Sequence, residues 1–304
     1  MTRVVCVGLA VVDYAFGLPE IPVTHGKHFA ERLEIVGGGP AANAAVTVVS
    51  LGGVASFVGR VGDDVIAREI LNGLYTMGVD TSSVVGVAGA TSPVSAVIID
   101  RDAERMIVNH RDDRLYVRPP DEVPAAVAGA DAVLVDMRWP MGAAVALGEA
   151  RAAGVPGVVD FDSHRATDVT PILDRASHVI FSAAALEGLA GTADPAAGLR
   201  AVARRSEAWL AVTLGADGVL WLEGDEPRHL PAFEVDALDT LGAGDVFHGA
   251  FALAVGEGQA IERALTISAA AAAIKCTRFG GRAGIPSRRD VEAFLSERGG
   301  GSWS

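Results

Sequence analysis

A heptapeptide in the C-terminal third of the chain combines glycine and aspartate in a way that suits chemistry on phosphate. Residues 239–245 read Asp-Thr-Leu-Gly-Ala-Gly-Asp and lead into an apolar helical stretch. Gly242, Ala243 and Gly244 would place N–H groups at the positive end of that helix, where an anion is stabilised. The Asp245 carboxylate beside them could take the proton from an attacking hydroxyl during phosphoryl transfer. Read alone, the segment equally allows Asp245 to be an ordinary helix-start carboxylate.

A second glycine cluster lies near the N-terminus. Residues 37–43 read Gly-Gly-Gly-Pro-Ala-Ala-Asn and precede another apolar helix. Gly38 and Gly39 would let the backbone approach a ligand, and Asn43 offers a donor and an acceptor to sugar hydroxyls. Asp13 follows the first predicted strand and could accept hydrogen bonds from two hydroxyls. The alternatives are a glycine-rich turn, a capping asparagine and a turn carboxylate, but the two clusters together favour a site for a hydroxyl acceptor and a phosphate donor.

The elements that position these clusters follow an alternating pattern. Short runs rich in β-branched residues, typical of strands buried on both faces, are separated by alanine-rich helical stretches. This alternation predicts an α/β fold with a mostly parallel central sheet flanked by helices. We expect one domain over residues 1–304, whose strands include residues 4–9, 132–135, 157–160, 178–181 and 209–213.

Two segments interrupt this pattern. They are residues 12–36 and 94–112, and residues 94–110 alternate in polarity and turn at residues 100–103 like an antiparallel hairpin. We expect them to form a small β-sheet lid over the carboxyl edge of the main sheet, where open α/β folds bind ligands. The glycine-rich tail, residues 298–304, is predicted to be disordered.

Composition excludes several classes of protein. The net charge of −13 disfavours binding to nucleic acid. The chain contains no apolar stretch of the roughly 18 to 20 residues that a membrane helix needs. Cys6 and Cys276 lie in apolar or helical contexts without a metal or redox motif, which predicts reduced thiols. We therefore expect a cytoplasmic protein with no membrane partner.

Taken together, the two glycine clusters resemble the signatures of the ribokinase-like (PfkB) carbohydrate kinases, and residues 59–64 and 213–218 extend the resemblance over nearly the whole chain. The resemblance implies ATP as phosphoryl donor and Asp245 as the catalytic base. It also implies a sugar site and a nucleotide site. Their residues would be Asp13, Gly38, Gly39 and Asn43 for the sugar, and Ser182, Thr213, Gly215, Gly218 and Gly281 for ATP.

One family element is missing. The expected Asn-x-x-Glu, which helps organise Mg²⁺ in relatives, falls on residues 182–185, Ser-Ala-Ala-Ala. The protein contacts of Mg²⁺ are therefore left unassigned, with Asp160 and Asp162 as substitutes in a stretch, residues 160–165, that resembles the family's Asp-x-Asn-x-Arg. The resemblance further implies a monovalent cation such as K⁺ near Asp239 and the turn at residues 280–281.

Within the family, the chain resembles the bacterial sulfofructose kinases, which phosphorylate the 1-hydroxyl of 6-deoxy-6-sulfofructose. Residues 26–27, 136–139, 245–250 and 275–286 carry this similarity, whereas Asn43 departs from the threonine expected there. A sulfonate requires a cation and directed donors. Lys27, Asn109 and Arg138 could supply them, or could be ordinary surface polar residues.

Several alternatives stay open at this point. The acceptor could be fructose, fructose 6-phosphate, ribose or a nucleoside, and a 6-phosphate would suit the same cationic residues. A non-catalytic sugar or nucleotide sensor could use the same fold. A dinucleotide-dependent dehydrogenase is disfavoured because no Gly-x-Gly-x-x-Gly follows the first strand. We also expect a homodimer formed through the lid, since its sheet would expose apolar edges.

Overall fold

The computed structural model describes residues 1–101, 105–162, 168–299 and 303. The strands are β1 (Arg3–Val7), β2 (Val11–Gly17), β3 (Arg32–Gly38), β4 (Val54–Val58), β5 (Arg60–Val61), β6 (Val85–Gly86), β7 (Val94–Ile99), β8 (Arg105–His110), β9 (Ala132–Asp136), β10 (Gly157–Phe161), β11 (His178–Ser182), β12 (Trp209–Thr213), β13 (Val219–Glu223) and β14 (Glu226–Leu230).

The α-helices are α1 (Pro40–Ser50), α2 (Val65–Thr76), α3 (Val123–Val127), α4 (Pro140–Ala153), α5 (Thr170–Leu173), α6 (Ala183–Ala190), α7 (Pro195–Ala203), α8 (Ala243–Gly256), α9 (Ile261–Cys276) and α10 (Arg288–Glu297). Short 3₁₀ turns cover Asp113–Tyr116, Gly215–Asp217 and Gly281–Gly284.

The main sheet has eight strands in the order β14-β13-β12-β11-β10-β9-β1-β4. The six strands from β12 to β4 are parallel, and β13 and β14 continue the sheet antiparallel. Helices cover both faces, so β9 and β10 are buried along their whole length. The predicted α/β fold with a mostly parallel sheet is confirmed. The sequence patterns did not reveal β4 or the antiparallel edge formed by β13 and β14.

Helix α8 is apolar on all sides because it lies between other elements. Every residue from Val246 to Val255 is buried, with α1 and α9 packed on either side. A helix without a polar face has to be enclosed in this way. This packing fixes the first turn of α8, which carries Asp245, relative to the end of the main sheet.

A separate four-stranded sheet has the order β3-β2-β7-β8. It is built from the two segments that interrupt the α/β pattern, and β7 and β8 form the predicted antiparallel hairpin. Asp102 and Ala103 of its predicted turn lie outside the described residues. The separate small sheet is confirmed, while its movement as a lid stays a prediction.

The C-terminal tail is not uniformly without structure. Trp303 is buried, its Nε1 donates to Glu257 Oε2 at 2.7 Å, and its carbonyl accepts from Gln259 Nε2 at 3.0 Å. The prediction of a disordered tail is therefore wrong at Trp303, because an indole ring buries apolar area that polar tail residues cannot. The rest of the tail beyond Gly299 lies outside the described residues. No helix among those described is long and apolar enough to cross a membrane.

Candidate active site

A cavity of about 850 Å³ lies between the carboxyl edge of the main sheet and the small sheet. Side chains from β2, β7 and β8 form one wall, and the ends of β1 and β9 with the starts of α1 and α8 form the other. Eight of the predicted site residues line it directly: Asp13, Gly39, Asn43, Asn109, Arg138, Gly242, Asp245 and Gly281. Residues far apart in the sequence thus meet at the place where the topology predicts a ligand site.

Asp245 lies in the first turn of α8, at the base of the cavity. Its Oδ2 accepts a hydrogen bond from Asn43 Nδ2 at 2.6 Å. Burial raises the pKa of Asp245 to about 7, and the nearby carboxylates of Asp162 and Asp136 act in the same direction, against the bond from Asn43. A carboxylate that titrates near neutral pH is a suitable general base.

The start of α8 is also suited to an anion. Gly242 precedes the helix in a left-handed conformation, φ 76°, and in the described part of the chain no side chain caps the helix. The Ala243 N–H donates to the Thr240 carbonyl at 3.2 Å, so it is not open to a ligand. Gly242 and Gly244 lie at the positive end of the helix dipole, where N–H groups without an intrahelical partner can bind an anion. The predicted anion site at Gly242, Ala243 and Gly244 stays a prediction.

Arg282, which the sequence analysis assigned no role, fixes the orientation of Asn43. Its Nε donates to Asn43 Oδ1 at 2.8 Å and its Nη2 donates to the Gly38 carbonyl at 2.9 Å. Because a guanidinium only donates, the Asn43 oxygen must face Arg282 and the amide nitrogen must face Asp245. Asn43 therefore holds the Asp245 carboxylate in place through one of its two amide N–H groups.

The three glycines before α1 make room for groups of the protein itself. A Cβ at Gly37 would lie 2.1 Å from Arg282 Nη1, one at Gly38 would lie 2.1 Å from Asp13 Oδ2, and one at Gly39 would lie 2.3 Å from the Leu9 carbonyl. Close approach of a ligand is not needed to explain the cluster at Gly37 and Gly38. Gly39 has φ 96° and borders the cavity, so it still fits the interpretation that a glycine lets the backbone approach a ligand.

The cavity wall of the small sheet carries a polar row. Asp13 pairs with Ser95 across β2 and β7, and Ser95 pairs with Asn109 across β7 and β8. Burial raises the pKa of Asp13, while the hydrogen bond from Ser95 and the charge of Arg282 oppose the rise. Side chains of paired residues point to the same face of a sheet, so all three face the cavity.

Asp136 is a second residue whose role the sequence analysis missed. Its buried carboxylate accepts from the backbone N–H groups of Leu9 at 2.8 Å, Ala41 at 3.1 Å and Arg138 at 2.8 Å. It thereby caps α1, which has no side-chain cap of its own at Gly39. Its place at the end of β9 is the signal that could have identified it, since the same reasoning selected Asp13.

The cationic end of the cavity differs in part from the prediction. Arg138 lines the cavity and forms an ion pair with Asp162. Arg111, which was not predicted, also lines it, and its Nη1 donates to the Arg138 carbonyl at 2.5 Å. Lys27 is exposed in the loop between β2 and β3 and does not reach the cavity wall. The grouping of Lys27 with Asn109 and Arg138 is therefore not observed in this conformation.

The predicted nucleotide side lies at the ends of β11 and β12. Ser182 and Thr213 are paired neighbours there. Ser182 Oγ accepts from Ala185 N at 3.2 Å as the cap of α6 and donates to the Asp162 carbonyl at 2.9 Å. A Cβ at Gly218 would lie 2.1 Å from the Leu230 carbonyl, which explains this glycine by local packing. ATP contacts by Ser182, Thr213, Gly215, Gly218 and Gly281 stay predictions, and Gly281 lines the same cavity as Asp245.

The described residues offer little to Mg²⁺. None of their His, Cys, Asp and Glu side chains form a group of three or more that could hold a metal ion. Asp160 is buried with Oδ2 3.5 Å from His248 Nδ1, and burial raises its pKa well above the usual range. Asp160 is thus enclosed by the protein, whereas the side chain of Asp162 is half-exposed. Contacts of either carboxylate with Mg²⁺ stay predictions, and residues 163–165 lie outside the described chain.

The predicted monovalent-cation site at Asp239 contains a protein side chain. Lys275 Nζ lies 2.8 Å from Asp239 Oδ2 and 2.9 Å from the Asp239 carbonyl. Burial would raise the pKa of Asp239, but hydrogen bonds from Lys275 and Leu241 bring it below its usual value. A bound cation at Asp239 stays a prediction, and a covalently tethered ammonium lies against the same carboxylate.

Comparisons with known proteins agree with this geometry. The model of the pfkB family carbohydrate kinases matches residues 1–288. The ribokinase of Bacillus subtilis is 27% identical, covering 97% of this chain and 100% of the relative. The ATP-dependent ribose-1-phosphate kinase of Halopiger xanaduensis is 30% identical, covering 98% and 99%.

Solved structures extend the comparison to the fold. A candidate ribokinase from Agrobacterium tumefaciens has a TM-score of 0.93 at 39% identity, with 98% of both chains covered. The Arabidopsis thaliana ribokinase complexed with ribose and ATP has a TM-score of 0.85 at 24% identity, covering 97% of this chain and 98% of that one. These matches exclude the dehydrogenase alternative, and the chain belongs to the pfkB family of carbohydrate kinases.

Proposed function

We propose that this ATP-dependent carbohydrate kinase transfers the γ-phosphoryl group to the 1-hydroxyl of 6-deoxy-6-sulfofructose. The acceptor hydroxyl lies against Asp245, which takes its proton as the oxygen attacks phosphorus. The first-turn N–H groups of α8 stabilise the charge on the phosphoryl group in flight. The other hydroxyls of the sugar bind the polar row formed by Asp13, Ser95 and Asn109.

The observation that carries the choice of acceptor is the pair of arginines on the cavity wall. Arg138 and Arg111 both line the cavity whose base is Asp245, in a protein of net charge −13. Neutral sugars offer no reason to place two guanidinium groups there, whereas an anionic terminal group does. Asp162 neutralises Arg138 in this arrangement. A sulfonate would compete with Asp162 for Arg138, which favours an acceptor with a permanent negative charge.

Ribose is the second candidate acceptor. The Bacillus subtilis relative is a ribokinase and the Arabidopsis structure contains ribose, which supports a pentose. The Halopiger relative acts on a ribose phosphate, so an anionic sugar is also represented among relatives. The intact arrangement of Asp245, Asn43 and Arg282 favours turnover over the sensor alternative.

A screen of ADP release tests the proposal. Sulfofructose, fructose, fructose 6-phosphate, ribose and adenosine are each supplied with Mg²⁺ and ATP, and kcat/KM is compared. We expect sulfofructose to exceed fructose by about 10²-fold or more, since charge-assisted hydrogen bonds contribute roughly 1.5–3 kcal/mol each. Equal values for sulfofructose and fructose, or a preference for ribose, would reject the sulfonate assignment while leaving the kinase assignment intact.

The outer face of the small sheet supports a homodimer. The rows Ile35-Tyr14-Ala96-Val108 and Leu33-Phe16-Ile98-Met106 place apolar side chains on the face away from the cavity. Leu33 and Ile35 are each 54% exposed. We propose that a second copy of the chain covers this face, and that the sheet closes over the sugar as a lid. Light scattering should give twice the chain mass for the wild type and one chain mass for Ile35→Arg.

Two further assignments belong to the same proposal. Mg²⁺ would enter with ATP and be held mainly by phosphate oxygens, with the half-exposed Asp162 as the carboxylate that could contact it. It would neutralise phosphate charge during transfer. A cytoplasmic location is the other part of the proposal, because the donor is ATP and both cysteines are free thiols.

A further inference from the structure

The side chain of Lys275 lies where the family resemblance places a monovalent cation. Its Nζ contacts Asp239 Oδ2 at 2.8 Å, the Asp239 carbonyl at 2.9 Å and the Arg278 carbonyl at 3.4 Å. Lys275 is 0% exposed, although it stands in the last turn of α9. A fully buried lysine is rare unless it is paired, so this placement calls for a role.

The chemistry of the ammonium group matches these surroundings. A lysine ammonium has three N–H donors and no acceptor, and the surrounding atoms are three oxygens. Carboxylate and carbonyl oxygens are also the groups that replace the hydration shell of a bound K⁺. A second cation here would have to share the oxygens of Asp239 with Lys275 against the repulsion of like charges.

The ammonium joins segments that support the base. Asp239 Oδ1 accepts from Leu241 N at 2.8 Å, in the loop that continues to Asp245. Asp239 Oδ2 also accepts from Gly280 N at 3.2 Å, at the start of the turn that carries Arg282. A Cβ at Gly284 would lie 3.4 Å from Lys275 Cε, so this turn closes tightly around the lysine. A positive charge at this point thus neutralises Asp239 and connects both segments.

We infer that Lys275 is a built-in replacement for the monovalent cation, and that this kinase needs no K⁺ for activity or stability. The inference concerns the acceptor-independent part of the enzyme, so it does not depend on the identity of the sugar. A bound ion can dissociate from such a site, whereas the Lys275 ammonium is part of the chain and stays there.

The wild-type protein gives the first test. Kinase rate and thermal midpoint are measured in KCl and in choline chloride at equal ionic strength and saturating ATP. The rates should agree within about twofold and the midpoints within about 1 °C, since a ligand stabilises only the state that binds it. A rate about tenfold or more higher in KCl would overturn the inference.

Replacement of the lysine gives the second test. Lys275→Ala removes the charge and leaves a hole beside Asp239, so activity in choline chloride should fall by about tenfold or more. KCl or ammonium chloride should restore much of that loss and raise the thermal midpoint by about 3 °C or more. Leu265→Ala, at a buried position of the same helix, is the matched control for lost packing. Its midpoint should fall equally in both salts, and a Lys275→Ala variant with the same salt-independent loss would contradict the inference.

A spectroscopic measurement covers the case in which Lys275→Ala does not fold. The chain contains two lysines, Lys27 and Lys275. In ¹⁵N-lysine-labelled wild type, the buried Lys275 ammonium should give a slowly exchanging signal, and exposed Lys27 should not. Transfer from choline chloride to KCl should leave the Lys275 signal in place. Its displacement or loss in KCl would show that K⁺ competes for the oxygens of Asp239.

Discussion

At the end of the cavity beside α8, polar groups are held by the protein itself: Arg282 bonds to Asn43, and Asn43 bonds to Asp245. At the opposite end, Asn109 is exposed, Arg138 pairs with half-exposed Asp162, and Lys27 stands away from the wall. Preorganised buried groups stabilise a transition state without rearranging. Exposed side chains can be substituted without disturbing the packing of the core. We propose from this comparison that the reaction type is set at the end beside α8 and the choice of acceptor at the exposed end.

The largest expected effect is at the base. Asp245→Asn keeps the shape and can still contact Asn43, but it cannot take a proton. We expect kcat to fall by about 10²–10⁴-fold. ATP affinity, measured by calorimetry, should change little because the helix N–H groups remain. Normal turnover in this variant would remove Asp245 from the mechanism.

The next effect concerns the support of the base. Asn43→Asp places a second carboxylate 2.6 Å from Asp245 Oδ2, which should raise the pKa of Asp245 further. We expect kcat at pH 7 to fall by about 10-fold or more, with recovery at higher pH. The readout is the pH profile of kcat. An unshifted profile would show that the contact between Asn43 and Asp245 does not control the base.

At the exposed end, a smaller and more selective effect is expected. Arg138→Ala should raise KM for sulfofructose by about 10-fold or more and leave kcat/KM for fructose nearly unchanged, because the lost bond is charge-assisted. Arg68→Ala, on the exposed side of α2, is the matched control for removal of a surface charge. A similar loss on both sugars would assign Arg138 to the reaction rather than to the acceptor.

The smallest effect is expected at Lys27. Because Lys27 is exposed and lies away from the cavity, Lys27→Ala should change KM for sulfofructose by about twofold or less, as for other exposed charges. Steady-state kinetics on the same two sugars checks this. A loss as large as that of Arg138→Ala would mean that the β2–β3 loop closes onto the substrate, which would strengthen the lid proposal.

The sequence was informative where chemistry is local. Gly242, Ala243 and Asp245 all lie at the start of α8, so their relative positions follow from helix geometry. Asp13 was selected as a residue at the end of the first main-sheet strand, but it lies inside β2 of the small sheet, on the face that lines the cavity. Strand and helix periodicity likewise predicted most of the main sheet.

Contacts between distant segments could not be read in the same way. Arg282 reaches Asn43 across 239 positions, and Lys275 reaches Asp239 across 36. Neither belongs to a local pattern, because the packing of α9 and the following turn decides where these side chains point. The edge strand β14 was missed because a strand exposed at a sheet edge lacks the continuous apolar pattern of buried ones. The neighbouring strand β13 does carry an apolar run, which the sequence analysis did not select.

The dependence of kcat on pH in the wild type tests the central claim most directly. Burial raises the pKa of Asp245 to about 7, and the base acts in its deprotonated form. With saturating ATP and sugar, kcat should therefore decline below about pH 7, approaching a tenfold loss for each further unit. The decline should be absent from the residual activity of Asp245→Asn. A wild-type kcat that stays constant from about pH 5 to 8 would contradict the account, since an ordinary aspartate titrates near 3.9.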